Sequence, residues 1–111
     1  MLHRSFRLQK QDIARIYKKG RSFREDFLFC RILANRASNS RFAVVIPKSV
    51  AAKATDRNRL KRKTHTILAE LIKISIPLNY YDIMLTYKAV PDEVKIEPVL
   101  KHIFQKIGIL K

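Results

Sequence analysis

Apolar residues along this chain recur in two rhythms, and the rhythms divide it into elements. Ile13, Ile16 and Tyr17 stand three and four positions apart and predict a helix over about Lys10–Lys19. From Phe23 to Leu33 aromatic and β-favouring residues dominate, which reads as one strand bent near Glu25-Asp26. A polar turn at Asn35–Ser40 precedes a second strand at Arg41–Ile46. Its nearly unbroken apolar run implies burial on both faces, and Pro47 ends it. After a connector at Val50–Thr55, residues Leu60, Thr64, Ile67, Leu68 and Leu71 repeat with helical spacing to about Lys73, with Thr55 or Asp56 as the candidate cap. Tyr80–Tyr87 reads as a third strand. Glu97–Ile107 reads as a last helix, with Pro98 in its first turn and Leu100, Ile103, Phe104 and Ile107 facing inward.

The order α-β-β-α-β-α predicts an α+β fold with a small sheet. Gly20 and Gly108 each follow a helical pattern, where a residue able to take positive φ ends a helix at little cost. No repeat, low-complexity tract or long linker interrupts the 111 residues, so residues 1–111 read as a single domain, with 1–9 as a candidate flexible arm. The one cysteine, Cys30, has no intrachain partner, and its apolar neighbours place it in a buried strand rather than an active site. No apolar run approaches the roughly 20 residues of a membrane span. The basic N-terminus lacks the apolar stretch of a secretory signal, so the cytoplasm is the expected compartment and no membrane is an expected partner.

Charge sharpens this picture. The net charge is +15, and its placement is skewed: residues 1–63 hold 18 Lys/Arg against 4 Asp/Glu, whereas 64–111 hold 6 against 5. Such asymmetry points to one polyanion-facing surface built by the first half, whose self-repulsion RNA or added anions relieve. Its densest part is Arg57-Asn58-Arg59-Leu60-Lys61-Arg62-Lys63, five cations in seven residues at the start of the central helix. At about 100° per residue, Asn58, Arg62, His65 and Thr66 point away from the apolar stripe, Lys61 and Lys63 flank it, and Arg59 lies toward the polar side. Arg57 falls nearer the apolar side but, in the first turn, can reach past the helix end. Cations with an embedded amide offer both charge and hydrogen-bond donors to phosphate, and nucleic acid is the commonest source of phosphate.

The segment Ala54-Thr55-Asp56-Arg57-Asn58-Arg59-Leu60-Lys61-Arg62 resembles the signature of the bacterial ribonuclease P protein subunit family. The resemblance extends along essentially the whole chain: an N-terminal helix with an aromatic and Lys18-Lys19-Gly20, a buried strand ending near Lys48 just before the motif, the strand Tyr81-Asp82-Ile83-Met84-Leu85, and a terminal helix. It implies a fold like the second domain of ribosomal protein S5, with a left-handed β-α-β crossover bearing the Arg-Asn-Arg helix, although most such crossovers are right-handed. It also implies a role as accessory subunit of an endonuclease, a hydrolase made of one large RNA and one protein. That ribonucleoprotein removes the 5′ leader of precursor tRNA, with chemistry carried by the RNA and its bound Mg²⁺. Carried over, Arg57, Asn58, Arg59, Lys61 and Arg62 contact the RNA subunit, while Tyr17, Ile13 and Lys48 belong to a leader-binding cleft. The implied partners are the RNA subunit and precursor tRNA, with no obligate protein partner and no cofactor held by the protein alone. Four departures stand out. Ile13 replaces a frequent second aromatic, and Ser49 a common basic residue after the lysine. Ala51-Ala52 and Lys53 replace a frequent Gly-Asn pair, and His65 stands at a usually basic position, which makes its contribution pH-dependent if it faces RNA.

No protein-borne active site is legible. The histidines His3, His65 and His102 lack metal-ligand spacing, Asp56 and Asp82 do not read as a catalytic pair, and glycine-rich phosphate loops are absent. Two rivals share the size and charge: a structural ribosomal or general RNA-binding protein, and a DNA-binding protein with Arg57–Lys63 in a major groove. The run is poor in the varied side chains that read bases, which disfavours the second.

Overall fold

The chain runs through a 3-10 turn at Arg4–Phe6, helix α1 (Lys10–Lys19), strands β1 (Arg21–Glu25), β2 (Leu28–Asn35) and β3 (Arg41–Val45), and helix α2 (Ala54–Ile74). Strand β4 (Tyr80–Tyr87), a 3-10 turn at Glu93–Lys95 and helix α3 (Ile96–Ile107) follow. This is a computed structural model that describes residues 4–36, 39–75 and 79–109. The four strands form one sheet in the order β1-β2-β4-β3. β2 pairs antiparallel with β1 and β4, and β3 pairs parallel with β4. Parallel neighbours cannot be joined by a tight turn, so α2 serves as the crossover between them.

Strand alternation gives the sheet two different faces. Leu28, Cys30 and Ile32 of β2, Phe42 and Val44 of β3, and Ile83, Leu85 and Tyr87 of β4 lie on one face. They bury against Leu60, Ile67, Leu68 and Leu71 of α2 and Leu100, Ile103 and Phe104 of α3. Phe42 stacks on Phe104 and Phe27 on Tyr87. Thr64, on the inner stripe of α2, hydrogen-bonds the Tyr87 hydroxyl at 2.6 Å and donates to the Leu60 carbonyl at 2.7 Å. Burial pushes the Tyr87 hydroxyl up to about 12 and the Cys30 thiol up to about 12, so neither ionises near neutral pH.

Residues of the opposite parity face α1, which is tied down by charge. Asp82 on β4 is fully buried and sits beside its register partner Arg41 on β3. Arg41 donates to both Asp82 carboxylate oxygens at 2.9 and 2.8 Å and reaches Asp12 of α1 at 3.3 and 3.4 Å. The Asp82 hydrogen bond is the main reason the Arg41 guanidinium titrates above its ordinary range. Asp12 also accepts the Gln9 backbone N–H at 3.1 Å, which closes the start of α1.

Several expectations change. The stretch Phe23–Leu33 is not one bent strand but part of a hairpin, because Asp26 adopts the left-handed conformation (φ 52°) that Asp tolerates better than most residues. Phe27, next in the turn, then drops into the core. Helix α2 starts at Ala54, ahead of Thr55 and Asp56, and the residue at its N-cap, Lys53, makes no side-chain cap bond. Asp56 sits in the first turn, where its charge favours the helix dipole. The candidate flexible arm makes contact from its later half: Arg7 bridges to Phe42, and the Leu8 N–H donates to the Phe42 carbonyl at 2.9 Å. Along β3, Phe42 and Val44 are buried, whereas Ala43 and Val45 are only half-buried. Positions 37 and 38 of the expected polar turn lie outside the described residues.

The glycines divide. Gly108 takes φ 84° and closes α3 with N–H bonds from Gly108 and Ile109 back to Gln105 and Phe104, as expected for a left-handed terminus. Gly20 has φ −75°, so it is not needed for positive φ. It is needed for space, because a Cβ there would lie 2.5 Å from the Ile16 carbonyl oxygen and 3.0 Å from that of Ile32. Substituting Gly by Ala at an unstrained φ commonly stabilises by about 0.4–1 kcal/mol. Here the overlap is with backbone, and overpacking costs about 1–3 kcal/mol. Gly20→Ala is therefore expected to lower the urea midpoint. A raised midpoint would show that α1 can shift off β2 without loss.

Candidate nucleic-acid interface

α2 projects its cations on the side away from the sheet. Asn58, Arg59, Lys61, Arg62 and Lys63 are exposed. The side chains of Asn58, Lys61, Arg62 and Lys63 make no hydrogen bond or ion pair with another described residue, so their donors are available to a ligand. Arg59 is 72% exposed and meets Glu93 at 3.2 Å, an exposed pair of the weakly held kind. Arg57 differs. It does reach past the helix end, and it lands on protein: one terminal nitrogen donates to the carbonyls of Ala51 and Ala52 at 2.9 and 2.7 Å. It thereby ties the connector to the helix start, although a guanidinium, having no acceptor, caps none of the first-turn N–H groups.

His65 departs from its expected position. It is 7% exposed, and Arg7 of the N-terminal segment that pairs with β3 lines the same concavity. Arg7, Thr55, Asn58, Lys61, Arg62 and His65 line a concave site of about 490 Å³. Burial, then the cations Lys61 and Arg7, hold the His65 imidazole below its ordinary range.

A second set of groups gathers on the α1 face of the sheet. Tyr17 is 55% exposed at the outer side of α1, and Ile13 is half-buried beside it. The Arg31 guanidinium lies 4.7 Å from the Tyr17 ring centre and 5.7 Å from that of Phe29, and the Lys88 ammonium is 5.5 Å from Phe29. Cations over ring faces are mutually attracted, and the same rings and guanidinium can stack on unpaired bases. Arg24, the register partner of Phe29, projects from the same face. Lys48 is exposed in the connector after β3. Phe29, Arg31 and Lys88 were missed in the sequence. The available signal was Arg31, a lone cation in the apolar run Leu28–Leu33, which period-two alternation assigns to a different face from Cys30.

The helix cations and Tyr17 thus lie on opposite faces of the sheet and do not share one groove. Among the described residues no three His, Cys, Asp or Glu side chains converge as metal ligands, and no helix is long and apolar enough to cross a membrane.

Comparison with known proteins agrees with this architecture. The Ribonuclease P family model matches residues 2–108. Ribonuclease P protein components from a Pseudanabaena and a Synechocystis strain are similar in sequence. The first is 29% identical over 92% of this chain and 90% of its own length, the second 39% identical over 52% and 48%. A solved RNase P protein from Staphylococcus aureus superposes with a TM-score of 0.80 at 20% identity, covering 96% of this chain and 98% of its own. The one from Thermotoga maritima gives 0.77 at 22% identity, covering 90% and 96%. With the family model spanning nearly the whole sequence and the fold shared, this chain belongs to the ribonuclease P protein family.

Proposed function

We propose that this chain is the accessory protein of a tRNA 5′-processing ribonucleoprotein, binding the RNA subunit through α2 and the precursor leader through the α1 face of the sheet. The observation that carries this reading is the separation of the two surfaces. Unpartnered cations on α2 face one way, and a row of aromatic rings and cations (Tyr17, Phe29, Arg31 and Lys88) faces the other. Two polyribonucleotides can therefore be held at once by one small domain. Phosphates on α2 gain charge-assisted and bidentate hydrogen bonds from arginine. Unpaired leader bases gain sequence-tolerant stacking on the other side. Cations set between two polyanions reduce their mutual repulsion, which otherwise demands high Mg²⁺. The Mg²⁺ ions and the bond cleavage belong to the RNA subunit in this reading, and the work takes place in the cytoplasm.

The test is precursor tRNA cleavage by a bacterial ribonuclease P RNA at low Mg²⁺, with and without the protein. Stimulation is expected, and its absence would sink the proposal. Within that assay Tyr17→Ala weakens binding of long-leader substrates by roughly 1–3 kcal/mol and leaves mature tRNA unaffected. Equal loss for the leaderless product would remove Tyr17 from the leader surface.

A further inference from the structure

We infer that the concave site between the N-terminal segment and α2 takes a single phosphodiester of the RNA subunit together with a proton carried by His65. This rests on the function proposed above and adds to it a defined site and a linkage between pH and affinity. The site is assembled from two parts of the chain. Arg7 comes from the segment that bridges to Phe42, and Thr55, Asn58, Lys61, Arg62 and His65 come from α2. Its walls carry three permanent cations, an amide and a hydroxyl, with no carboxylate among the lining residues. That chemistry suits an oxyanion, and in an RNA the oxyanion is phosphate.

His65 is the one lining group whose charge changes near neutral pH. It is buried where the other lining side chains of α2 are exposed, and its side chain makes no hydrogen bond with another described residue. The charged groups acting on it are Lys61 and Arg62 on its own helix, Arg7 from the N-terminal segment and the charge of the α-amino group. In the free protein, burial and the cations Lys61 and Arg7 oppose its protonation. The unfolded chain then binds more protons than the native state, so His65 makes the free protein less stable as pH falls below about 6.5. A phosphate seated among Arg7, Lys61 and Arg62 reverses that balance. It screens the cations and supplies an acceptor for a second imidazole N–H, so protonation becomes favourable and is taken up on binding. A permanently charged side chain at this position would bind phosphate without such linkage, so the histidine adds sensitivity to pH.

The experiment measures affinity for a bacterial ribonuclease P RNA from pH 5.5 to pH 8 at fixed ionic strength, for the full chain and for His65→Gln. Titration of the α-amino group, His3, His102 and the RNA is present in both proteins, so the difference between the two profiles reports His65 and the α-amino charge coupled to it. The wild type is expected to gain about tenfold more affinity than His65→Gln between these limits, corresponding to a shift of one pKa unit. Parallel profiles would overturn the proposal while leaving the RNA-binding function standing. Failure of both proteins to bind this RNA at any pH would overturn the function itself. Because His65→Gln could disturb folding, the second measurement uses the wild type alone. The His65 ring resonances are titrated with and without sodium sulfate, against sodium chloride of equal ionic strength, since sulfate keeps one charge state over this range. An upward pKa shift specific to sulfate, abolished in Arg7→Ala, supports the site, and an unchanged titration overturns it.

Discussion

Replacing Asp82 by alanine is expected to destabilise the protein by about 3 kcal/mol, read as a lower urea midpoint at unchanged slope. Breaking a buried ion pair by removing one partner costs roughly 3–5 kcal/mol, because the remaining charge is left uncompensated. The lower end applies because the Arg41 side chain keeps 22% of its surface in solvent, whereas that of Asp82 keeps 1%. Arg41 would retain Asp12, but only at 3.3 and 3.4 Å, and Asn35 would lose its 2.7 Å bond to the carboxylate. Against a total of about 5–15 kcal/mol for a native domain, the loss is severe. Asp82→Asn should fall between wild type and Asp82→Ala, since the amide keeps an acceptor without the charge. Asp12→Ala should cost less than Asp82→Ala, because its contacts to Arg41 are longer. An unchanged midpoint for Asp82→Ala would show that the network contributes nothing to stability.

The consequence for function follows from geometry. Arg41 joins the sheet to α1, and α1 carries Tyr17. Loosening this junction should weaken leader binding in the protein that remains folded, although Asp82 itself faces no ligand. Nothing in the sequence marks Asp12, Arg41 and Asp82 as partners. They are 29 and 41 residues apart from Arg41, and only the pairing of β3 beside β4 brings them together.

That contrast describes what was legible in the chain. Elements with an uninterrupted rhythm were readable almost to the residue: α1 at Lys10–Lys19, β4 at Tyr80–Tyr87 and the inner stripe of α2 from Leu60 to Leu71. Periodicity encodes a face, and a face buried against one continuous core is enough to set an element's limits. The hairpin at Asp26 was not readable because its turn contains no glycine. An Asp in the left-handed region gives no compositional signal as strong as Asn-Gly or Asp-Gly. The burial of His65 was missed for a related reason. A helical wheel reports which way a residue points relative to its own helix and says nothing about another segment that crosses it. Arg57 shows the same limit for the site, since counting cations could not reveal that one of them holds the connector carbonyls.

The largest functional effect is expected from Arg59→Ala combined with Arg62→Ala. Each arginine lost from a phosphate removes charge-assisted hydrogen bonds, which for a single residue corresponds to roughly tenfold to a hundredfold in affinity for the RNA subunit. The dependence of binding on salt should flatten by about 0.7–0.9 in log–log slope per contact, hence about 1.4–1.8 for the pair. The two single variants should not be equal. The Arg62 side chain makes no bond with another described residue, so its donors are free for phosphate, whereas Arg59 must leave Glu93 before it can bind. Part of what Arg59 gains from RNA is offset by that lost contact, and Arg62→Ala should be the more damaging change. Arg57→Ala provides the contrast. Because its guanidinium spans the Ala51 and Ala52 carbonyls, its loss should lower thermal stability and affinity while changing the salt slope less than Arg62→Ala does. A salt slope unaltered in the double variant would remove both arginines from the RNA surface. A slope change for Arg57→Ala as large as for Arg62→Ala would place its guanidinium on phosphate in the complex and not on the connector.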